Sequence, residues 1–271
     1  MHLTIAPQRS CALAWLAAVQ TVLGRAGSEA SNVIVGIANP LVQTDVDATI
    51  VAEVDRFLRG KGKLPVNTVA NTIFPQSTFD RHGTPAFYDI YLEKVLPRIK
   101  RSQADWGRSF QRMISLPSER KGETINSLAG MVEKMKRQVV SAPCLTDVYE
   151  ITIYDPIRNP GLAMNRQCLS FLGFKLTDGA PRHLSLTAVY RNHDYMQRLL
   201  GDMIGLGRLM KFVADEAAVG VGDLTILSTR AEIDTVGTGR DIRALIERCV
   251  AHGAFVKSGV CGVDQAAILL G

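Results

Sequence analysis

The sequence predicts one α+β domain in which a mixed sheet is flanked by helices. Three observations predict it. Helical periodicity dominates the first half, short β-like runs gather in the second, and nothing resembling regular βαβ alternation, an internal repeat or a low-complexity linker separates them. A length of 271 residues suits a single domain spanning 1–271. Hydrophobic residues at 46% and charged residues at 21% are globular values that exclude a disordered or fibrous chain.

The elements are read in order. Ser10 is a plausible N-cap for a helix in which Ala12, Trp15, Leu16, Val19 and Leu23 share a face and Gly24 closes the end. Gln20 inside that stretch argues for an amphipathic helix and against a signal peptide, so a cytoplasmic protein is expected. Residues 31–40 read as a strand ending in a loop. Residues 47–59 read as a helix with Ile50, Val51, Val54, Phe57 and Leu58 inward and Gly60 at its end. Two prolines and several Asn and Thr predict an irregular stretch over 64–80. Residues 85–101 and 123–137 have helical periodicity, with an aromatic loop at 105–110 between them. Residues 138–143, 148–154, 168–176 and 184–191 are β-like, and in the last of these Leu184, Leu186 and Ala188 alternate with Ser185, Thr187 and Val189. A long helix over 195–218 and a strand over 223–228 complete the reading. Met196, Met203 and Met210 fall on one face of that helix, as core residues do.

Charge narrows the function classes. Thirty-one basic against 26 acidic residues give a net +5, and the longest basic run is only Lys134-Met-Lys-Arg137. With aromatics at 6%, this balance suits small anionic ligands better than nucleic acid. No run approaches ~18 uncharged apolar residues, so no spanning helix and no membrane partner are expected. The five cysteines, Cys11, Cys144, Cys168, Cys249 and Cys261, lack metal-ligand spacing, which argues against a disulfide framework and against a metal site.

One constellation carries chemistry. Cys168 opens a β-like run, Arg191 ends the next, and Asp194 and Asp202 follow on the way into the long helix. Nearby guanidinium charge lowers a thiol's pKa from about 8.5, so Cys168 beside Arg191 makes a coherent nucleophile. The plainer reading is a small core cysteine and a surface arginine.

Taken together, these residues resemble the thymidylate synthase superfamily. Its pattern is a nucleophilic Cys, a strand, Arg-Ser-x-Asp and then an Asn in the following helix. The resemblance runs over residues 136–234, with a weaker match back to Glu53. It implies a thymidylate synthase-like fold and a sheet-to-sheet homodimer. By that resemblance Cys168 adds to C6 of a pyrimidine, and Arg191 holds the nucleotide phosphate with Asn192 in place of the usual Ser. Asp194 touches the folate or positions the site. Glu53, in Glu53-Val-Asp-Arg-Phe-Leu-Arg-Gly60, matches the family's proton-transfer glutamate. Lys136 and Arg137 fall where an arginine pair reaches the partner subunit's phosphate. Cys144, in an Ala-Pro-Cys context the family favours, competes for the nucleophile's role, but it lies too far before Arg191 for the family's short strand–turn–strand.

The departures are informative. Asp202 stands where thymidylate synthases have the Asn that reads uracil. A carboxylate accepts from the exocyclic amine of cytosine, and the cytidylate and deoxycytidylate hydroxymethylases carry Asp there. Leu169 replaces an expected His, and Gly173 an expected Gln. Glu232 and Asp234 replace the family's His-x-Tyr at the sugar, and acidic residues there suit a 2′,3′-diol, hence CMP over dCMP. Trp106 and Phe79 offer rings for a pterin, although core packing is the commoner fate of lone aromatics. His193 is read as loop support or a general base. The resemblance thus implies a C5 hydroxymethylase of CMP or dCMP that uses 5,10-methylenetetrahydrofolate. Methylation of a pyrimidine nucleotide and nucleotide binding without turnover are the alternatives.

Overall fold

The computed structural model describes residues 2–99, 108–118, 120, 122–155, 159, 161, 167–234 and 236–259. The first unit is a parallel pair: β1 (Leu3–Gln8), α1 (Cys11–Leu23) and β2 (Glu29–Ile37). Ser10 caps α1, its hydroxyl accepting from Leu13 N at 3.4 Å, and the same hydroxyl donates to Asp47 at 2.5 Å. Asp47 belongs to α2 (Asp45–Gly60), where it completes a capping box with Thr44. One buried carboxylate therefore ties the starts of two helices together.

Residues 64–80 are helical, not irregular. Pro65 and Pro75 each stand at the N-cap of a short helix, α3 (Val66–Ile73) and α4 (Gln76–His82), a position that needs no N–H donor. Next come α5 (Ala86–Ile90), a π-helical turn at Tyr91–Val95, α6 (Leu96–Ile99) and α7 (Ser109–Ile114). A small hairpin pairs β3 (Leu116–Pro117) with β4 (Thr124–Ile125) and leads into α8 (Ser127–Val139). The expected strand at 138–143 is absent. Val139 is the last helical residue, and the chain turns at 140–143 instead of pairing.

The main sheet has the order β1-β2-β9-β7-β6-β5, where β5 is Tyr149–Thr152, β6 Leu169–Leu176, β7 His183–Tyr190 and β9 Gly220–Glu232. It is mixed: β7 and β9 run parallel, while β2–β9, β6–β7 and β5–β6 are antiparallel. A short β8 (His193–Asp194) runs beside β9 beyond the end of β7, seven strands in all among the described residues. Tyr190 opposes Ser228, and His193 opposes Ala231 in the same register. β7 and β8 are thus one strand interrupted at Arg191 and Asn192.

The alternation read in β7 holds: Leu184, Leu186 and Ala188 are buried, while Ser185, Thr187 and Val189 are half-buried or exposed. Val33, Val35, Leu172, Leu224 and Ile226 continue the core face, and Ile34, Phe171, Thr225 and Leu227 lie half-buried on the other. The core face packs on α1 and on α9 (Leu199–Ala217), whose apolar residues run around most of its surface. α9 starts later than predicted, because residues 195–198 form a turn. Met203 and Met210 are buried within α9, and Met196 is buried in the turn before it. Gly201 and Gly205 let α3 approach α9. A Cβ on Gly205 would stand 2.7 Å from the Ala70 carbonyl oxygen. The last described element is α10 (Gly239–Gly259), which packs on α2.

Candidate functional site

Strand pairing between β6 and β7 builds the site. The backbone N–H of Arg191 donates to the carbonyl of Cys168 at 2.9 Å, and its Nε donates to the carbonyl of Gln167 at 3.1 Å. Arg191 and Asn192 sit in the gap between β7 and β8 where pairing with β9 is interrupted. Thr229 Oγ1 donates to the Arg191 carbonyl at 2.7 Å and steadies the gap.

The cluster that follows brings together Cys168, Arg191, Asp194 and Asp202, and adds Arg198. Burial pushes the half-buried thiol of Cys168 up. Arg191 and Arg198 pull it down, whereas Asp194 and Asp202 push it further up. The expectation of a thiol with lowered pKa is therefore corrected: desolvation outweighs the two guanidinium groups. Burial also pushes the Asp194 carboxyl up to about 6, helped by the negative charges of Asp234 and Glu232 and opposed by Arg198.

Asp202 lies in the first turn of α9, at the positive end of the helix, and is 6% exposed. Its Oδ2 is 3.2 Å from Nε2 of His193. The His193 ring is 1% exposed and stacks on Tyr190 at 3.9 Å between centroids and 7° between planes. Its Nδ1 is 3.1 Å from Ser228 Oγ. The Tyr190 hydroxyl is buried without a tight hydrogen bond and is pushed well up by burial, by the nearby charge of Asp202 and by facing that carboxylate as its acceptor.

No protein-family model matches the chain, and no curated protein matches it. The site is accordingly read from its own geometry.

Other expected residues have protein partners of their own. Glu53 is 7% exposed on α2. It pairs with Arg56 and accepts from Arg248 Nε of α10 at 2.9 Å. Burial opposes ionisation of its carboxyl, but the two arginines outweigh it and hold it below the ordinary value. Lys136 and Arg137 occupy the last turn of α8 rather than the approach to a strand. Lys136 bonds Glu216 at 2.7 Å and Glu133 at 3.1 Å, and Arg137 is exposed. Glu232 accepts from Asn192 Nδ2 at 3.1 Å and pairs with Arg230 at 2.7 Å. Asp234 accepts from the backbone N–H of Met196 at 2.8 Å and of Gln197 at 3.3 Å, and from the Gln197 side chain at 2.5 Å. Both carboxylates expected at a ribose thus have protein donors, and Asp234 shapes the turn into α9. Cys144 lies in the bend after α8, where its thiol meets the Leu145 carbonyl at 3.5 Å. Phe79 packs among Phe74, Phe87 and Phe212. Trp106 lies outside the described residues.

Sequence reasoning missed Arg198, Tyr190 and Ser228. Arg198 was findable as a second cation close after Arg191. Ser228 was not, because its contact with His193 depends on β9 lying beside β7. Among the described residues no group of three or more metal-ligating side chains is present, and no helix is long and apolar enough to cross a membrane.

Proposed function

We infer that the chain is a C5 hydroxymethyltransferase acting on a cytosine nucleotide, CMP or dCMP, in the manner of the thymidylate synthase superfamily. The observation that carries this reading is the convergence of a nucleophile, two cations and two carboxylates, drawn from separate strands and a helix start, on one half-buried thiol. Cys168 Sγ adds to C6 of the base, which makes C5 nucleophilic. Arg191 and Arg198 favour loss of the thiol proton and anchor the phosphate, holding C6 against Sγ. Asp202 accepts from the exocyclic amine and stabilises positive charge that develops on the N3 side of the ring.

Methylenetetrahydrofolate, when bound, supplies the one-carbon unit. Asp194 is the described residue that fits a contact with it: its carboxyl, at about 6, is ionised near neutrality and accepts from a pterin N–H. The half-buried, partly apolar face of the sheet supports a homodimer. In it, exposed Arg137 of one copy serves the phosphate of the other, while Lys136 is already held by Glu216.

The test is mass spectrometry of CMP, dCMP, dUMP and UMP, each incubated with the protein and methylenetetrahydrofolate. A gain of one formaldehyde equivalent on CMP or dCMP is expected, and a Cys168→Ala variant gives none. Methyl gain on a uracil nucleotide would overturn both the reaction and the reading of Asp202.

A second reading, nucleotide binding without turnover, is favoured by two observations. The Cys168 thiol is pushed up, and Glu53 is engaged with α10. It predicts saturable CMP binding by calorimetry with no mass change on any of the four nucleotides.

A further inference from the structure

The buried hydrogen bonds behind Asp202 have a direction. Among the described residues the Tyr195 hydroxyl has one hydrogen-bond partner, Ser228 Oγ at 3.4 Å, so only donation to Ser228 satisfies the phenol proton. Ser228 is fully buried, and its own proton then goes to the remaining neighbour, Nδ1 of His193 at 3.1 Å. With Nδ1 accepting, the proton of the neutral imidazole sits on Nε2 and is donated to Asp202 Oδ2 at 3.2 Å. The order Tyr195, Ser228, His193, Asp202 leaves no donor unused. The reverse order strands the phenol proton in the core.

We propose that His193 is the positioning residue for base recognition, a neutral Nε2–H imidazole that ties one oxygen of Asp202 and leaves Oδ1 as the acceptor offered to the ligand. This rests on the reading of Asp202 as the group that meets the amine of a cytosine nucleotide. Stacking on Tyr190 fixes the plane of the imidazole, and so the direction of its donor. The Tyr190 hydroxyl is buried facing Asp202, which acts on it as a hydrogen-bond acceptor although no tight bond is formed, so the carboxylate is approached from a second side. The acceptor so held meets a base that presents an exocyclic amine.

Two measurements test this. The first needs no nucleotide: nitrogen NMR of histidine-labelled protein at neutral pH, with the His193 signals assigned by their loss in His193→Gln. Nε2 is expected to show a protonated shift and Nδ1 an acceptor shift, and Ser228→Ala is expected to move the Nδ1 signal. A protonated Nδ1 overturns the relay. The second compares His193→Phe, which keeps a ring against Tyr190, with His193→Gln, which keeps a donor near the Nε2 position. The Phe variant should raise the KM for CMP about 10- to 100-fold, the loss of one hydrogen bond to a charged group, with a smaller change in kcat. The Gln variant should stay within about threefold of the parent on the same scale. Equal behaviour of the two variants overturns the positioning role. A parent protein that binds none of the four nucleotides overturns the proposed function, and the NMR arm alone then judges the relay.

Discussion

The backbone amide of Arg191 and the carbonyl of Cys168 are joined by a 2.9 Å hydrogen bond, which sets the two residues side by side on neighbouring strands, and the Arg191 Nε bond to the Gln167 carbonyl keeps the guanidinium there. That fixed proximity makes Arg191 the main group offsetting the desolvation of Cys168. Alkylation of Cys168 by iodoacetamide, followed on its own peptide by mass spectrometry, should have its midpoint above the usual thiol range. Arg191→Met should move that midpoint higher still, because it leaves burial and the carboxylates acting with less opposition. A midpoint that is unchanged or lower in the variant contradicts the electrostatics described for the site.

Asp194 is raised in the same way as Cys168, its ionised form being the disfavoured one. Its pKa rises from 3.8 to about 6 on folding, so the stability it contributes is present below 3.8 and is lost as pH climbs through 6. Asp194→Asn should therefore stabilise the protein at pH 7 by about 1–2 kcal/mol, a figure reduced for partial solvent screening. The gain should vanish near pH 3.5. Urea unfolding at the two pH values measures the difference, and an equal effect at both would remove the carboxylate from the argument.

Gly205 and Gly130 are both helical glycines, and they should respond in opposite directions to alanine. At Gly205 the new Cβ meets the backbone oxygen of Ala70 at 2.7 Å, and α3 must back away from α9. The expected loss is about 1–3 kcal/mol, seen as a melting midpoint lowered by roughly 2–10 °C. Gly130 in α8 has nothing within 4 Å of the added atom, so Gly130→Ala should stabilise by about 0.5–1 kcal/mol through helix propensity alone. Thermal unfolding of the pair settles whether close helix approach explains the first glycine.

Glu53 anchors α10 to α2 through Arg248. Its folded pKa is depressed, so its contribution is present above the ordinary carboxyl value of 4.5 and fades as pH falls through the folded value. Glu53→Gln should lower stability at pH 7 by about 1–2 kcal/mol, since Arg248 is half exposed and screened. The gap between variant and parent should narrow on acidification. Unfolding curves at pH 7 and pH 4 test this, and a constant gap would mean that packing, not charge, is lost.

Much of the fold was legible because the signal was local. Ser10 and Thr44 cap helices whose apolar faces repeat with helical period, and β7 alternates as a strand with one covered face should. Where the reading failed, a local signal was ambiguous. Pro65 and Pro75 suggested loops but stand at helix starts. Val139 and Val140 suggested a strand but close a helix whose last turn carries Lys136 and Arg137. The candidate site divides in the same way. Cys168, Arg191, Asp194 and Asp202 were found as an ordered set, and the chain brings them together. The partners of Glu53, Glu232 and Asp234 were not legible, since Arg248 reaches Glu53 from a helix far along the chain, and the donors to Asp234 are backbone groups of a turn. Ser228 stands beside Tyr190 and within reach of His193 only because β9 runs parallel along β7 and β8.

The interruption between β7 and β8 separates two kinds of obligation within a few residues. Tyr190 and His193 keep register with Ser228 and Ala231, while Arg191 and Asn192 owe nothing to that ladder. Ligand preference is therefore free to drift at the two central positions while the flanking pair holds the sheet's alignment. A new specificity can arise there without the architecture being renegotiated.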